Sequence, residues 1–135
     1  MARVRGRDTK PEMAVRRYLH ARGLRFRLHR RDLPGRPDLV FPSRRVAVFV
    51  HGCFWHQHPG CKRAKLPQTR ADSWRRKLEA NRERDVAALK ALEEAGWTAL
   101  VVWECELGPE TLMALYTRIS KTPKNADFPL PRSRD

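Results

Sequence analysis

Three histidines, two cysteines and two large aromatic side chains fall within the stretch His51-Gly-Cys-Phe-Trp-His56-Gln-His58-Pro-Gly-Cys61. Thiolate sulfur and imidazole nitrogen at this density suit a tetrahedral zinc ion. The stretch follows directly on an apolar run, Val46-Ala-Val-Phe-Val50, and the last cysteine, Cys105, stands just after a second one, Thr98-Ala-Leu-Val-Val-Trp103. If the two runs are neighbouring strands of one sheet, Cys105 returns beside Cys53 and Cys61. Cys53-x4-His58-x2-Cys61 with Cys105 then supplies four ligands. Four protein ligands leave no open coordination position, so the zinc expected here is structural. Spacing leaves open whether His56 or His58 is the histidine ligand. The competing reading makes Cys53 and Cys105 ordinary buried thiols.

A second chemistry lies beside the first. Asp38 opens a short apolar run that ends at Phe41, and Val50-His51 closes the next, so a hairpin places both at one end of a sheet. A carboxylate with a strand-end carbonyl oxygen is a hard-oxygen set of the kind Mg²⁺ accepts. His51 and His56 bring neutral imidazoles able to take a proton from an attacking water. Asp85 can orient one of them. Each residue also has a plainer reading: Asp38, after Pro37, as a turn residue, and Asp85, near Arg82 and Arg84, as a surface ion pair.

Phe54 and Trp55 lie inside the histidine–cysteine stretch, and Trp74 stands amid Arg70, Arg75, Arg76 and Lys77. Rings interleaved with cations suit a nucleic-acid wedge, phosphate clamps flanking a side chain that inserts between bases. Core packing around the zinc is the alternative.

The overall charge points the same way. Lys and Arg number 29 against 15 Asp and Glu, a net charge of +14. The first 45 residues hold 14 basic side chains, 13 of them Arg, and four acidic ones, Asp8, Glu12, Asp32 and Asp38. The guanidinium fork donates paired hydrogen bonds to phosphate, so the expected partner is a nucleic acid. An anionic membrane is not expected, because no helix sets a basic face against a broad aromatic one. Nor does any segment approach the ~20 apolar residues of a membrane span. Met1-Ala-Arg-Val-Arg-Gly6 has no apolar stretch behind it, so a signal peptide is not expected and the cytoplasm is. In that reducing compartment three cysteines point to metal ligands or free thiols rather than disulfides.

The 135 residues suffice for one domain with a core of its own. Thr9-Lys-Pro-Glu12 predicts a helix start with Thr9 as cap, running to Gly23. Leu24 to Leu28 alternates apolar and basic as a half-exposed strand does. Leu33 to Pro37 is a turn, 38–41 a short strand, Arg44-Arg45 a hairpin turn and 46–50 the central strand. Asp72 or Ser73 can cap a long helix to about Ala95, closed by Gly96. Trp97 to Trp103 is a buried strand. A last helix from Pro109-Glu110 presents Leu112, Leu115, Tyr116 and Ile119 on one face. The expected fold is α/β, a mixed central sheet flanked by helices. Residues 1–120 form the domain, and 121–135, with three prolines, form a loose tail.

The motifs Asp8-Thr-Lys-Pro-Glu12, Leu33-Pro-Gly-Arg-Pro-Asp-Leu39, Phe49-Val-His-Gly-Cys-Phe-Trp-His56, Trp74-x2-Lys77-x3-Asn81-x2-Arg84-Asp85 and Gly96-Trp97 through Trp103-Glu-Cys105 resemble, in order, those of the very short patch repair (Vsr) endonucleases. The resemblance spans residues 8 to 107. It implies a restriction-endonuclease-like fold and an enzyme that nicks one DNA strand beside the thymine of a T:G mismatch, the product of 5-methylcytosine deamination. By the same resemblance Asp38 and the backbone carbonyl of Val50 hold Mg²⁺, and Glu12 contacts water on that ion. His56 is the general base oriented by Asp85, and His51 assists near the phosphate. Cys53, His58, Cys61 and Cys105 hold the structural Zn²⁺. Phe54, Trp55 and Trp74 intercalate, and Lys77 and Asn81 join them in contacting double-stranded DNA. A monomer is expected, since the lesion is asymmetric. Two rival readings remain, a non-catalytic zinc-stabilised DNA-binding domain and a related nuclease with another DNA target.

Overall fold

Thr9 starts the first helix as its sequence dictates. In the computed structural model, which describes residues 9–124, the Thr9 hydroxyl accepts the Glu12 N–H at 3.3 Å and α1 runs from Lys10 to Ala21. Gly23, at φ +91°, takes the left-handed conformation that ends the helix. The expected strand over 24–28 shrinks to β1, Arg27–Leu28. Its partner β2, Leu39–Phe41, has only three residues before the chain turns through Pro42–Arg44, and Leu24 is drawn into the core instead. Arg45, at φ 54°, completes the predicted hairpin into β3, Val46–His51.

The long helix α2 spans Ala71–Glu94, two or three residues earlier than a cap at Asp72 or Ser73 would place it. Neither residue caps it. Arg70, in the left-handed region, holds the cap position without a side-chain bond, and Asp72 lies in the first turn, where its charge suits the helix dipole. The strand β4, Thr98–Trp103, follows, and then α3, Pro109–Lys121. From residue 125 onward the expected loose tail lies outside the described residues.

The sheet order is β1-β2-β3-β4, antiparallel except for the parallel pair β3–β4, which α2 connects. This is the mixed α/β sheet the sequence predicts. β3 is its central element, and alternation along it separates two packed layers. Val46 and Val48 face α1 and α3, packing with Val15, Leu19, Leu115 and Ile119. Ala47 and Phe49 face α2 and Leu92. β4 is less buried than its apolar sequence suggests, with Val102 alone fully inside, because it is an edge strand.

Two adjacent arginines brace the far end of the sheet. Arg44 donates to the carbonyls of Thr122 (2.6 Å) and Ser120 (3.2 Å) at the end of α3, and Arg45 to Ala95 at the end of α2. At the other end, the C-terminal tips of β3 and β4 meet the start of β2, α1 and the middle of α2. Gly35 makes this approach possible: at φ +77°, an added Cβ would stand 2.7 Å from Ala88 Cβ on α2. No helix among the described residues is long and apolar enough to cross a membrane.

Candidate active site

The register of the sheet sets the site. Val48 accepts the Asp38 N–H at 2.9 Å, and the Val50 N–H donates to Asp38 Oδ2 at 2.7 Å. The resemblance names the Val50 carbonyl; the structure ties Asp38 to the N–H of that same residue. Glu12, on the first turn of α1, is buried at 2% exposure, and Arg16 and His29 each lie 2.6 Å from its Oε2. One ligand atom from each of Glu12, His29 and Asp38 falls within 4.8 Å of the others. Burial drives the Asp38 carboxyl up to about 6 and Glu12 adds to the rise, against the Val50 N–H, His29 and His56. Crowded, partly desolvated carboxylates are an oxygen set that a hard divalent cation fits, since its charge reverses both effects.

His51 ends β3 opposite Trp103 on β4. It is 6% exposed, and burial, then the neighbouring His56, lower its pKa to about 4 in spite of Asp85. Neutral imidazole is therefore its form near pH 7. The His56 ring stacks on it, centroids 3.8 Å apart and planes 4° from parallel. His56 Nδ1 lies 2.6 Å from Asp85 Oδ2. In the tautomer whose Nδ1–H donates to Asp85, Nε2 carries a lone pair, the geometry of an oriented general base. A groove of about 290 Å³ opens on His51, His56 and Asp85, so water reaches them. Asp85 is thus not the simple surface partner of Arg82 or Arg84. Arg84 bonds Asn81 instead.

The cysteines assemble on the other side of Trp103. Cys53, His58, Cys61 and Cys105 bring ligand atoms within 4.8 Å of one another. It is His58, not His56, that joins them: its Nδ1 lies 3.3 Å from Cys105 Sγ and 3.7 Å from Cys53 Sγ. Burial pushes the Cys53 thiol up to about 12, with Cys105 and Cys61 close by. Cys61 falls to about 7: desolvation opposes this, but the Arg63 N–H, His58 and the other two sulfurs prevail. Three sulfurs and an imidazole drawn together in this way match the donor set of a tetrahedral zinc ion.

The aromatic residues form a third group. Phe54, Trp55 and Trp74 pack edge-on or tilted, with centroids 5.1 to 5.8 Å apart. They belong to neither core cluster and are half-buried. They pack on one another rather than into either core cluster. Lys77 Nζ stands 5.7 Å from the centroids of Trp55 and Trp74, and Asn81 Nδ2 donates to the Trp55 carbonyl at 3.2 Å. All five of these DNA-contact candidates thus lie side by side.

Comparison with known proteins decides the family. The family described as DNA mismatch endonuclease Vsr matches residues 1–63, a stretch that contains Glu12, Asp38, His51, His56 and three of the four zinc-ligand candidates. A type II nicking enzyme of Xanthomonas oryzae pv. oryzae, V.XorIIP, is 59% identical over 107 residues, covering 79% of this chain and 78% of the relative. The DNA mismatch endonuclease Vsr of Escherichia coli K12 is 44% identical over 107 residues, 79% of this chain and 68% of the relative. The nicking enzyme V.NmeAIP of Neisseria meningitidis is 39% identical over the same share of this chain and 76% of its own length. The chain belongs to the Vsr family of DNA mismatch endonucleases. It is accordingly a DNA endonuclease, a hydrolase of phosphodiester bonds.

Three residues of this Vsr-family site escape a reading of spacing and composition. His29 follows β1 with no motif around it. Trp103 stacks on His58 (centroids 4.1 Å, planes 7°) and meets His51 edge-on (5.0 Å, 73°), so one indole touches both the cysteine cluster and the imidazole pair. Glu104 Oε2 accepts the Cys53 N–H at 2.9 Å. For Trp103 and Glu104 the available signal was their place at the end of the second apolar run, next to Cys105, in the Trp103-Glu-Cys105 motif. His29 had none.

Proposed function

We propose that this endonuclease nicks one strand of duplex DNA beside the thymine of a T:G mismatch, with Mg²⁺, and so starts replacement of a short patch after deamination of 5-methylcytosine. The observation that carries the chemistry is the His56–Asp85 contact at 2.6 Å beside the Asp38–Glu12 cluster. Asp38 and the Val50 carbonyl would hold the cation, with Glu12 directed at its water. Bound there, Mg²⁺ supplies polarisation of the scissile phosphate and charge for the leaving oxygen. His56 Nε2 takes the proton of the attacking water, and Asp85 stabilises the imidazolium that results. His51, kept neutral by burial, lies against the His56 ring and assists near the phosphate. Cys53, His58, Cys61 and Cys105 would hold Zn²⁺, which fixes the loop bearing Phe54, Trp55 and His56 to β4.

Mismatch choice follows from deformation. A T:G pair unstacks at lower cost than a matched pair, and Phe54, Trp55 and Trp74 would insert where unstacking is easy, while Lys77 and Asn81 contact the DNA beside them. The mixed α/β sheet, in keeping with the restriction-endonuclease-like fold that the resemblance implies, supports this reading, as does the net charge of +14. Acting on an asymmetric lesion, the protein works as a monomer, in the cytoplasm.

The test is a strand-resolved nicking assay on end-labelled duplexes, T:G against C:G at one position, with and without Mg²⁺. A metal-dependent nick on the thymine strand alone is expected, and Asp38→Ala abolishes it while duplex binding persists. Undiminished nicking by that variant sinks the mechanism. Equal cutting of both duplexes keeps the nuclease and discards the repair role, and binding without cleavage favours a non-catalytic zinc-stabilised module.

A further inference from the structure

His29 makes a pair of contacts that no other described residue duplicates. Its imidazole Nε2 lies 2.6 Å from Glu12 Oε2, and its backbone N–H donates to the carbonyl of Asp38 at 3.1 Å. One residue thus ties together the two carboxylate residues of the cation site, which come from different elements, α1 and the start of β2. Neutralising a buried carboxylate does not require it, because Arg16 already meets the same Glu12 oxygen at 2.6 Å. Nor does local chain geometry favour it. His29 sits at φ 49°, a left-handed conformation that is unfavourable for a residue with a Cβ and persists where the surroundings hold it. There the chain leaves β1 so that the backbone still pairs with Asp38 while the ring turns to Glu12.

Resting on the reading of Asp38 and Glu12 as the cation site, we propose that His29 is a positioning residue of that site. It holds Glu12 at a fixed place relative to Asp38 and so sets how tightly the site takes a divalent cation. Partners that orient a ligating carboxylate typically contribute 10- to 100-fold in metal affinity. A residue with this role changes the metal concentration required and leaves the rate at saturation nearly untouched.

The experiment uses the full chain, loaded with zinc so that the cysteine cluster is filled, and Mn²⁺ as the probe. Free Mn²⁺ is followed by its paramagnetic resonance signal without DNA, and the Mg²⁺ dependence of nicking is measured in parallel. His29→Ala should raise the Mn²⁺ concentration for half-occupancy, and the Mg²⁺ concentration for half-maximal nicking, by about 10-fold. His29→Gln, whose amide N–H can still donate to Glu12, should restore most of both. Unchanged half-occupancy in His29→Ala overturns the proposal. So does equal impairment of the two variants alongside a common loss of thermal stability, which marks a purely structural role. Asp38→Ala separates the proposal from its premise. If it abolishes Mn²⁺ binding while His29→Ala does nothing, only the role of His29 falls. If it leaves Mn²⁺ binding intact, the cation-site reading falls and takes the proposal with it.

Discussion

On one face of the sheet α1 and α3 bury Val15, Leu19, Leu115 and Ile119 against Val46, Val48 and Val102, whereas on the other α2 seals only Leu92 against Ala47 and Phe49, with Leu33, Leu89 and Trp97 half-covered around them. The second layer is thin, and α2 extends well beyond it. Its 24 residues extend about 36 Å, against about 20 Å for the six-residue strands it crosses. Trp74, Lys77, Asn81 and Asp85 follow one another at steps of three, four and four residues, the period of a helix face. That stripe faces the Phe54–His56 loop. On the proposed reading, α2 carries Asp85 and the DNA-contact residues Trp74, Lys77 and Asn81 while α1 and α3 pack the larger core cluster, and that division can be tested by substitution.

The largest effect expected is on the α2 side. Asp85→Ala removes the partner of His56 Nδ1 and should lower nicking by about 10²- to 10⁴-fold, the range general acid–base groups contribute. Its melting temperature should not move, because Asp85 belongs to neither core cluster. A lowered melting temperature with an unchanged rate per folded molecule would erase the division.

Ile119→Ala is the converse. Ile119 is fully buried among α1, α3 and the strands, so its truncation should cost about 2–5 kcal/mol of stability. Nicking by the molecules that remain folded should stay at the parent rate. Chemical denaturation with an activity assay on the same samples reads both quantities.

How far the sequence reveals this division depends on the range of the interaction. The Thr9 cap, the hairpin at Arg45 and the β3–α2–β4 crossover depend on neighbours in the chain, and the sequence predicts them. The cysteine cluster is legible too, because one assumption, that β3 and β4 are adjacent, brings Cys105 home. Whether His56 or His58 joins it is not legible, since both lie on the same short loop. Asp85, reaching from α2, is what takes His56 away. His29 and Trp103 are hidden for the same reason: β1–β2 pairing brings His29 to Asp38, and β3–β4 register sets Trp103 opposite His51. The exposed side of β4 and the early start of α2 likewise reflect what packs where rather than any local preference.

The rim where the two faces meet is subject to a finer test. Without Mg²⁺ and with zinc retained, Asp38 is raised to about 6, mainly by burial and also by Glu12, while the Val50 N–H, His29 and His56 oppose the rise. His51 is lowered to about 4, mainly by burial and also by His56, while Asp85 opposes the fall. Between about pH 4 and 6 the folded chain keeps the Asp38 proton that the unfolded chain has lost, so this group's contribution to stability falls as pH rises. Over nearly the same window the folded chain lacks the His51 proton that the unfolded chain holds, so that contribution rises. The two slopes nearly cancel in the parent. Relative to the parent, Asp38→Asn should gain stability toward pH 6 and His51→Phe should lose it, each by up to about 3 kcal/mol at ~1.4 kcal/mol per tenfold change in proton affinity. Parallel pH curves for parent and variants would mean that neither group is held neutral by burial.

The smallest effect belongs to the aromatic group, and it bears most directly on what α2 is for. If Phe54, Trp55 and Trp74 are packing elements, Trp55→Ala should lower stability and leave the discrimination between T:G and C:G duplexes where it was. If they are a wedge, the same change should remove about 1–3 kcal/mol of preference for the mismatch, the value of one base–aromatic stack, and weaken general duplex affinity less. The loop backbone gives this comparison its force. The Trp55 carbonyl is held by Asn81 and the Phe54 carbonyl by Gln57 Nε2 at 2.8 Å, and neither bond involves the indole that is removed. Truncating the ring therefore leaves the loop anchored, and His56 with it. A nicking rate on T:G that falls while cutting of C:G holds steady assigns the ring to recognition. An unchanged ratio returns the three aromatics to the fold and leaves α2 with the His56–Asp85 contact as its one functional duty.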